Sequence, residues 1–131
     1  MNRKLERASR ARQQISRLRE QERELLNVLL SCRSVVKGSV YELKTRCGKP
    51  TCSCAQGALH RAMVLSWSQA GKTRLVTVGA ADLQRLVRLT GEYRKFRQAR
   101  AALVKLQKQL LQEVDRLEGA IRETAVQSGR K

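Results

Sequence analysis

Residues 2–31 contain neither glycine nor proline, and Ala8, Ala11, Ile15, Leu18, Glu22, Leu25 and Leu29 recur in alternating steps of three and four. An α-helix turns once in about 3.6 residues, so this spacing lines them along one side. Leu26 and Leu30 are expected to widen the stripe at its end. Such a helix, about 28 residues long, would reach roughly 40 Å. Its apolar stripe is narrow and flanked by Arg10, Arg12, Arg17, Arg19 and Arg23, tempered by four glutamates. So little apolar surface does not hold a long helix in water alone, and a partner helix is required.

A partner exists within the chain. Residues 81–127 form a second helical stretch, opened by "GAADLQRL" with Asp82 in or near the first turn. Leu86, Leu89, Tyr93, Phe96, Leu103, Leu110, Val114, Leu117 and Ile121 fit a heptad register. Arg100 and Gln107 interrupt it, and the neighbouring Ala99 and Leu106 offer a local shift of phase. Gly91 and Gly119 each weaken this helix by about 1 kcal/mol relative to alanine. Leu5–Leu29 and Phe96–Ile121 span nearly equal intervals, 24 and 25 residues. Antiparallel pairing within one chain follows, with Leu29 near Phe96 and Leu5 near Ile121. A dimeric coiled coil is the competing use of the same stripes.

Between the helices the pattern changes. "GSVYELKTR", "RAMVLSW" and "TRLVTVG" are short, rich in β-formers and separated by turn residues, with "SQAGK" at 68–72 as a hairpin loop. Three short strands make a marginal sheet unless something clips them. Aromatic residues make up only 3 % of the 131, too few for a large core. The expected fold is α+β: a long antiparallel helical hairpin capped by a small, zinc-clipped, three-stranded antiparallel sheet. Its divisions are a basic helix at 1–33, a sheet module at 34–80, a long helix at 81–127 and a frayed tail at 128–131.

The clip is legible in "RCGKPTCSCAQGALHR". Three of the four cysteines and the only histidine stand at Cys47, Cys52, Cys54 and His60. Three thiolates and an imidazole complete a tetrahedral set for Zn²⁺, with no position left open for water. Gly48 and Pro50 suit a turn between the first ligands, and Gly57 suits another before His60. The spacing differs from paired CxxC motifs, so a redox dithiol at Cys52 and Cys54, or plain reduced cysteines, are the alternatives. Cys32 is expected to fill a small core position, and to become a ligand only if His60 points away. A closed site of this type is structural, contributing folding free energy on the order of 10 kcal/mol.

No catalytic residues are expected. The histidine is committed to the metal, no glycine-rich phosphate loop occurs, and the carboxylates are interleaved with arginine on helix surfaces. There is no signal-like N-terminus and no apolar run long enough for a membrane span, which predicts a cytoplasmic chain. Net charge is +17, from 28 Lys and Arg against 11 Asp and Glu. Such a balance attracts polyanions, and duplex DNA bound through its phosphates is the leading expectation. Between residues 34 and 80 the candidate contacts are Lys37, Lys44, Arg46, Lys49, Arg61, Lys72 and Arg74, against the single acid Glu42. The start of the last helix adds Arg85, Arg88, Arg94, Lys95 and Arg97.

At "GSVYELKTRCGKPTCSCAQGALH", "LSW", "GKTR" and "YRKFR" the chain resembles a prokaryotic family catalogued as domain of unknown function 6788, over about residues 36–100. The resemblance implies a small basic protein encoded beside transposases or site-specific recombinases, with Cys47, Cys52, Cys54 and His60 as the shared cluster. Thr51 and Ser53 stand where basic residues are frequent in relatives. The expected function is a non-catalytic, nucleoid-associated accessory of a transposase or recombinase, acting as monomer or homodimer. The alternatives are an adaptor whose coiled coil docks on a larger acidic enzyme, or a duplex RNA binder.

Overall fold

The structure, a computed structural model, describes residues 2–125. The elements run α1 (Arg3–Ser31), β1 (Ser39–Thr45), a 3₁₀ turn (Ser53–Gln56), β2 (His60–Gln69), β3 (Lys72–Thr77) and α2 (Ala80–Ile121). The chain forms two compact units, Met1–Ser31 with Gln98–Lys131, and Cys32–Arg97. This division differs from one made by element, because the first part of α2 belongs with the sheet.

In the first unit α1 begins at an asparagine cap, where the Asn2 side-chain oxygen accepts the Lys4 backbone N–H at 2.9 Å. The helices run antiparallel: Lys4 Nζ lies 3.9 Å from a Glu123 carboxylate oxygen, and Ala11 shares a groove with Gly119 and Ala120. Ala8, Ala11 and Leu18 of α1 are buried, as are Ala99, Leu106 and Ala120 of α2. Small residues dominate this seam, which lets the backbones approach closely but buries little area.

Three expectations need correction here. The stripe of α2 does not keep its register to the end, because Val114 and Ile121 are exposed. Glu113 is half-buried and Ala120 buried in their place. Following the inward positions from Phe96 gives Ala99, Leu103, Leu106, Leu110, Glu113, Leu117 and Ala120. The phase therefore shifts where Arg100 would have faced inward, and burying that charge is the cost avoided. Leu26 and Leu30 are exposed and do not widen the stripe, and Leu5, 67 % exposed, leaves its place to Lys4 and Ala8. Finally, α2 stops at Ile121 rather than 127, with Arg122 N–H donating to the Glu118 carbonyl beyond its end. Past Ile121 no apolar residue continues the inward stripe, and Gly119 already weakens the last turn. Residues 126 and 127, and the tail at 128–131, lie outside the described residues.

In the second unit the strands form one antiparallel sheet in the order β1-β2-β3. Ser39 pairs with Ser66 and Thr45 with His60 across β1 and β2, while Val64 pairs with Thr77 and Gln69 with Lys72 across β2 and β3. Ala70 and Gly71 form the two-residue hairpin loop, both with positive φ (52° and 77°), as a primed turn matching strand twist demands. Val64, Leu65, Val78, Leu89 and Cys54 make up its small core, with Thr90 buried beside them. The Thr90 hydroxyl, within reach of the Leu86 and Val87 carbonyls at 2.7 and 3.1 Å, is satisfied inside its own helix. Two backbone bonds tie the sheet's flanks: Val36 N–H to the Leu89 carbonyl, and Val78 N–H to the Met63 carbonyl.

Candidate metal centre and its basic surroundings

The connection from β1 to β2 carries all four expected ligands. Cys47 lies two residues past the end of β1, Cys52 caps the 3₁₀ turn, Cys54 sits within it, and His60 opens β2. Thr45 and His60 pair in the ladder, so the connection starts and returns at one place. Within it Cys52 N–H donates to the Lys49 carbonyl and Ala55 N–H to the Cys52 carbonyl, each at 3.1 Å. Gly57 then takes a left-handed conformation (φ 110°), its N–H meeting the Cys54 carbonyl at 3.3 Å. A left-handed closing residue is what glycine supplies without steric cost.

This folding brings one donor atom from each of the four residues within 4.8 Å of the others. Cys47 Sγ and Cys54 Sγ are 3.4 Å apart, and Cys52 Sγ and His60 Nε2 are 3.2 Å apart. A tetrahedral ion with metal–sulfur bonds of about 2.3 Å needs sulfur–sulfur edges of about 3.8 Å. The two closest pairs are somewhat tighter than such an edge and no pair exceeds it by more than about 1 Å, so the four residues lie close enough to bind a metal ion. Cys54 Sγ also receives the Cys47 backbone N–H at 3.2 Å, an orientation that stabilises a ligating thiolate. Cys32 stands apart from the group, with its thiol 3.7 Å from a Glu92 carboxylate oxygen.

The electrostatics point the same way. The Cys47 thiol is lowered to about 6, first by the Lys49 backbone N–H and then by His60 and the other two thiols. Cys52 is lowered chiefly by the Cys54 backbone N–H. Cys54 is pushed up, by burial first and then by Cys47 beside it. His60 is raised by hydrogen bonding to Cys47 and Cys52. Burial, and then the neighbouring Cys47, disfavour the Cys54 thiolate, and a central cation would reverse this, because a metal ion deprotonates its ligands outright.

The twelve basic residues expected to meet nucleic acid all fall in the second unit and are all exposed. They do not form one surface. Lys44 pairs with Arg61, Trp67 with Arg74 and Gln69 with Lys72. Paired residues share a side of the sheet, and alternate residues of a strand share it too. Lys44, Arg61, Lys72 and Arg74 therefore project from one side, with Glu42 beside Arg61 at 3.7 Å. Val40, Met63, Leu65 and Val76 occupy the same side between the two basic pairs. Arg46 and Lys49 lie in the ligand loop, whereas Lys37 and Arg94 meet at a separate shallow groove with Ser39 and Tyr93. At about 100° per residue, Arg85, Arg88 and Lys95 cluster on one side of α2, and Arg94 and Arg97 point elsewhere. Sequence reasoning missed Trp67, which stands across from Arg74 and donates its indole N–H to Gln69 at 3.3 Å. The odd-numbered alternation from Arg61 through Trp67 to Gln69 was the signal that could have found it.

Among the described residues no helix is long and apolar enough to cross a membrane. No curated protein and no solved structure matches the chain. One family model does, over residues 7–88, reaching further into α1 and less far along α2 than the resemblance at about 36–100 suggested. With more than half its length so matched, and the Cys47, Cys52, Cys54 and His60 cluster inside the match, the chain belongs to the family described as Domain of unknown function (DUF6788).

Proposed function

We propose that this is a non-catalytic, zinc-stabilised protein that binds duplex DNA through its phosphates, as a cytoplasmic, nucleoid-associated accessory of a transposase or site-specific recombinase. The metal is assigned as zinc from the chemistry of the donor set: three thiolates and an imidazole gathered within 4.8 Å favour it over harder, oxygen-seeking ions. Four protein donors leave no position for a substrate or water, so the ion's role is to hold the β1–β2 connection.

The observation that carries DNA binding is the shared side of the sheet occupied by Lys44, Arg61, Lys72 and Arg74. From Arg61 to Trp67 is about 20 Å along β2, so the two basic pairs would reach separate phosphates rather than compete for one. Such contacts position a protein on a duplex without reading its sequence. Titration of a labelled duplex over a salt series tests this. Four neutralised phosphates give a slope near −3.5 in log affinity against log salt, and replacing Arg61 and Arg74 together by alanine reduces it by about 2. Duplex binding absent at low salt, or a slope the double variant leaves unchanged, refutes the reading.

A further inference from the structure

The side of α2 flanking the seam in the first unit carries a second ordered stripe. Val104, Gln107, Leu111, Val114, Glu118 and Ile121 follow one another in steps of three and four, about a quarter-turn around the helix from the buried residues. Its four apolar members are 39 %, 64 %, 45 % and 48 % exposed in chain order, Val104 to Ile121. Scattered exposed leucines and valines need no explanation, but a heptad stripe does.

The order of residues in the stripe reads alike from either end: apolar, polar, apolar, apolar, polar, apolar. Laid antiparallel on a second copy of itself, with the two-fold axis between Gln112 and Glu113, it makes matched layers. Val104 meets Ile121, Gln107 meets Glu118, and Leu111 meets Val114, each layer occurring twice. Beside them Lys108 of one copy falls next to Asp115 of the other, again twice. A parallel arrangement would instead stack Glu118 on Glu118. Self-complementarity of this kind is what a two-fold interface demands and what a foreign partner does not.

We propose that the chain forms an antiparallel homodimer through this stripe of α2. The contact is short, so the dimer is in the micromolar range, and it forms best in moderate salt, where repulsion between two strongly basic copies is screened. Sedimentation of the metal-loaded protein under reducing conditions, from about 1 to 300 µM chain, tests it. The expected result is a concentration-dependent rise towards twice the 14.9 kDa chain mass. Leu111→Lys, at an exposed position, should abolish the rise with unchanged helical circular dichroism. Lys108→Glu should raise the dissociation constant about fivefold or more, and Lys108→Glu with Asp115→Lys should restore it. A monomer mass throughout overturns the proposal. So does a dimer that persists in Leu111→Lys, or a charge reversal that the double reversal fails to rescue.

Discussion

Gly38 offers the sharpest test of how the sheet unit is built. It stands just ahead of β1 with φ at +140°, a region that side-chain-bearing residues rarely occupy. A Cβ added there would lie 2.6 Å from the Ser66 carbonyl oxygen and 2.9 Å from Leu65 Cδ1. The first of these cannot swing aside, because Ser66 is held in the ladder by Ser39 on one edge and Leu75 on the other. Backbone strain of this type costs about 1–3 kcal/mol, and forcing an extra carbon into a filled space costs a similar amount. Gly38→Ala should therefore lose about 3–4 kcal/mol. For a unit of this size that lowers the melting temperature by about 12 °C or more. Gly71→Ala is the control: its φ is +77° but nothing lies within 4 Å of the added carbon, so strain alone applies, about 1 kcal/mol. Trp67, the chain's only tryptophan, sits on β2 and reports this unit in a urea titration of the metal-loaded protein. If Gly38→Ala loses no more than Gly71→Ala, the close approach of this backbone to Ser66 is refuted.

Two further outcomes are expected. Purified protein should carry one zinc per chain, and its removal by a chelator should expose the amides of β1, β2 and β3 to hydrogen exchange. The amides of α1, whose stripe needs no metal, should stay protected by comparison, so equal loss in helix and strands contradicts a clip confined to the sheet. Ala70 occupies a positive-φ turn position that asparagine tolerates better, so Ala70→Asn should raise the unfolding free energy by about 0.5 kcal/mol in the same urea titration. A loss of stability there would mean the hairpin does not use a primed turn.

Much of the fold was legible because its signals are local. Absence of glycine and proline from 2–31, together with the three-four spacing of Ala8, Ala11, Leu18 and their neighbours, is enough to set α1 and its inward side. The register of α2 was less legible, since Val114 and Ile121 are better hydrophobes than Glu113 and Ala120. What decides between the two sets is the charge at Arg100, which acts about four to six turns away through the shifted phase of the helix. Seen from composition alone, a half-buried Glu113 beside its partner Arg116 looks like an error, yet the salt bridge between them accommodates it.

The site divides along the same line between local and long-range information. Cysteine and histidine are scarce in this chain, so four of them within fourteen positions announce a cluster whatever the fold around it. The basic surface could not be read that way, because lysine and arginine are everywhere. Only pairing of Lys44 with Arg61 and of Trp67 with Arg74 decides which charges share a side; the tight Ala70–Gly71 turn fixes the second, but the first is set across a long connection no turn rule fixes. The metal cluster bears on this directly. Every residue of β3 is exposed, and the unit's core rests on a handful of side chains such as Val64 and Leu65. Register in so thin a sheet is weakly specified by burial alone. Ligands that join the end of β1 to the first residue of β2 oppose a slip of one against the other, since any slip would pull His60 from Cys52. On the proposed reading the zinc thus does more than replace a missing core: it keeps Lys44 beside Arg61 on the side of the sheet that meets phosphate.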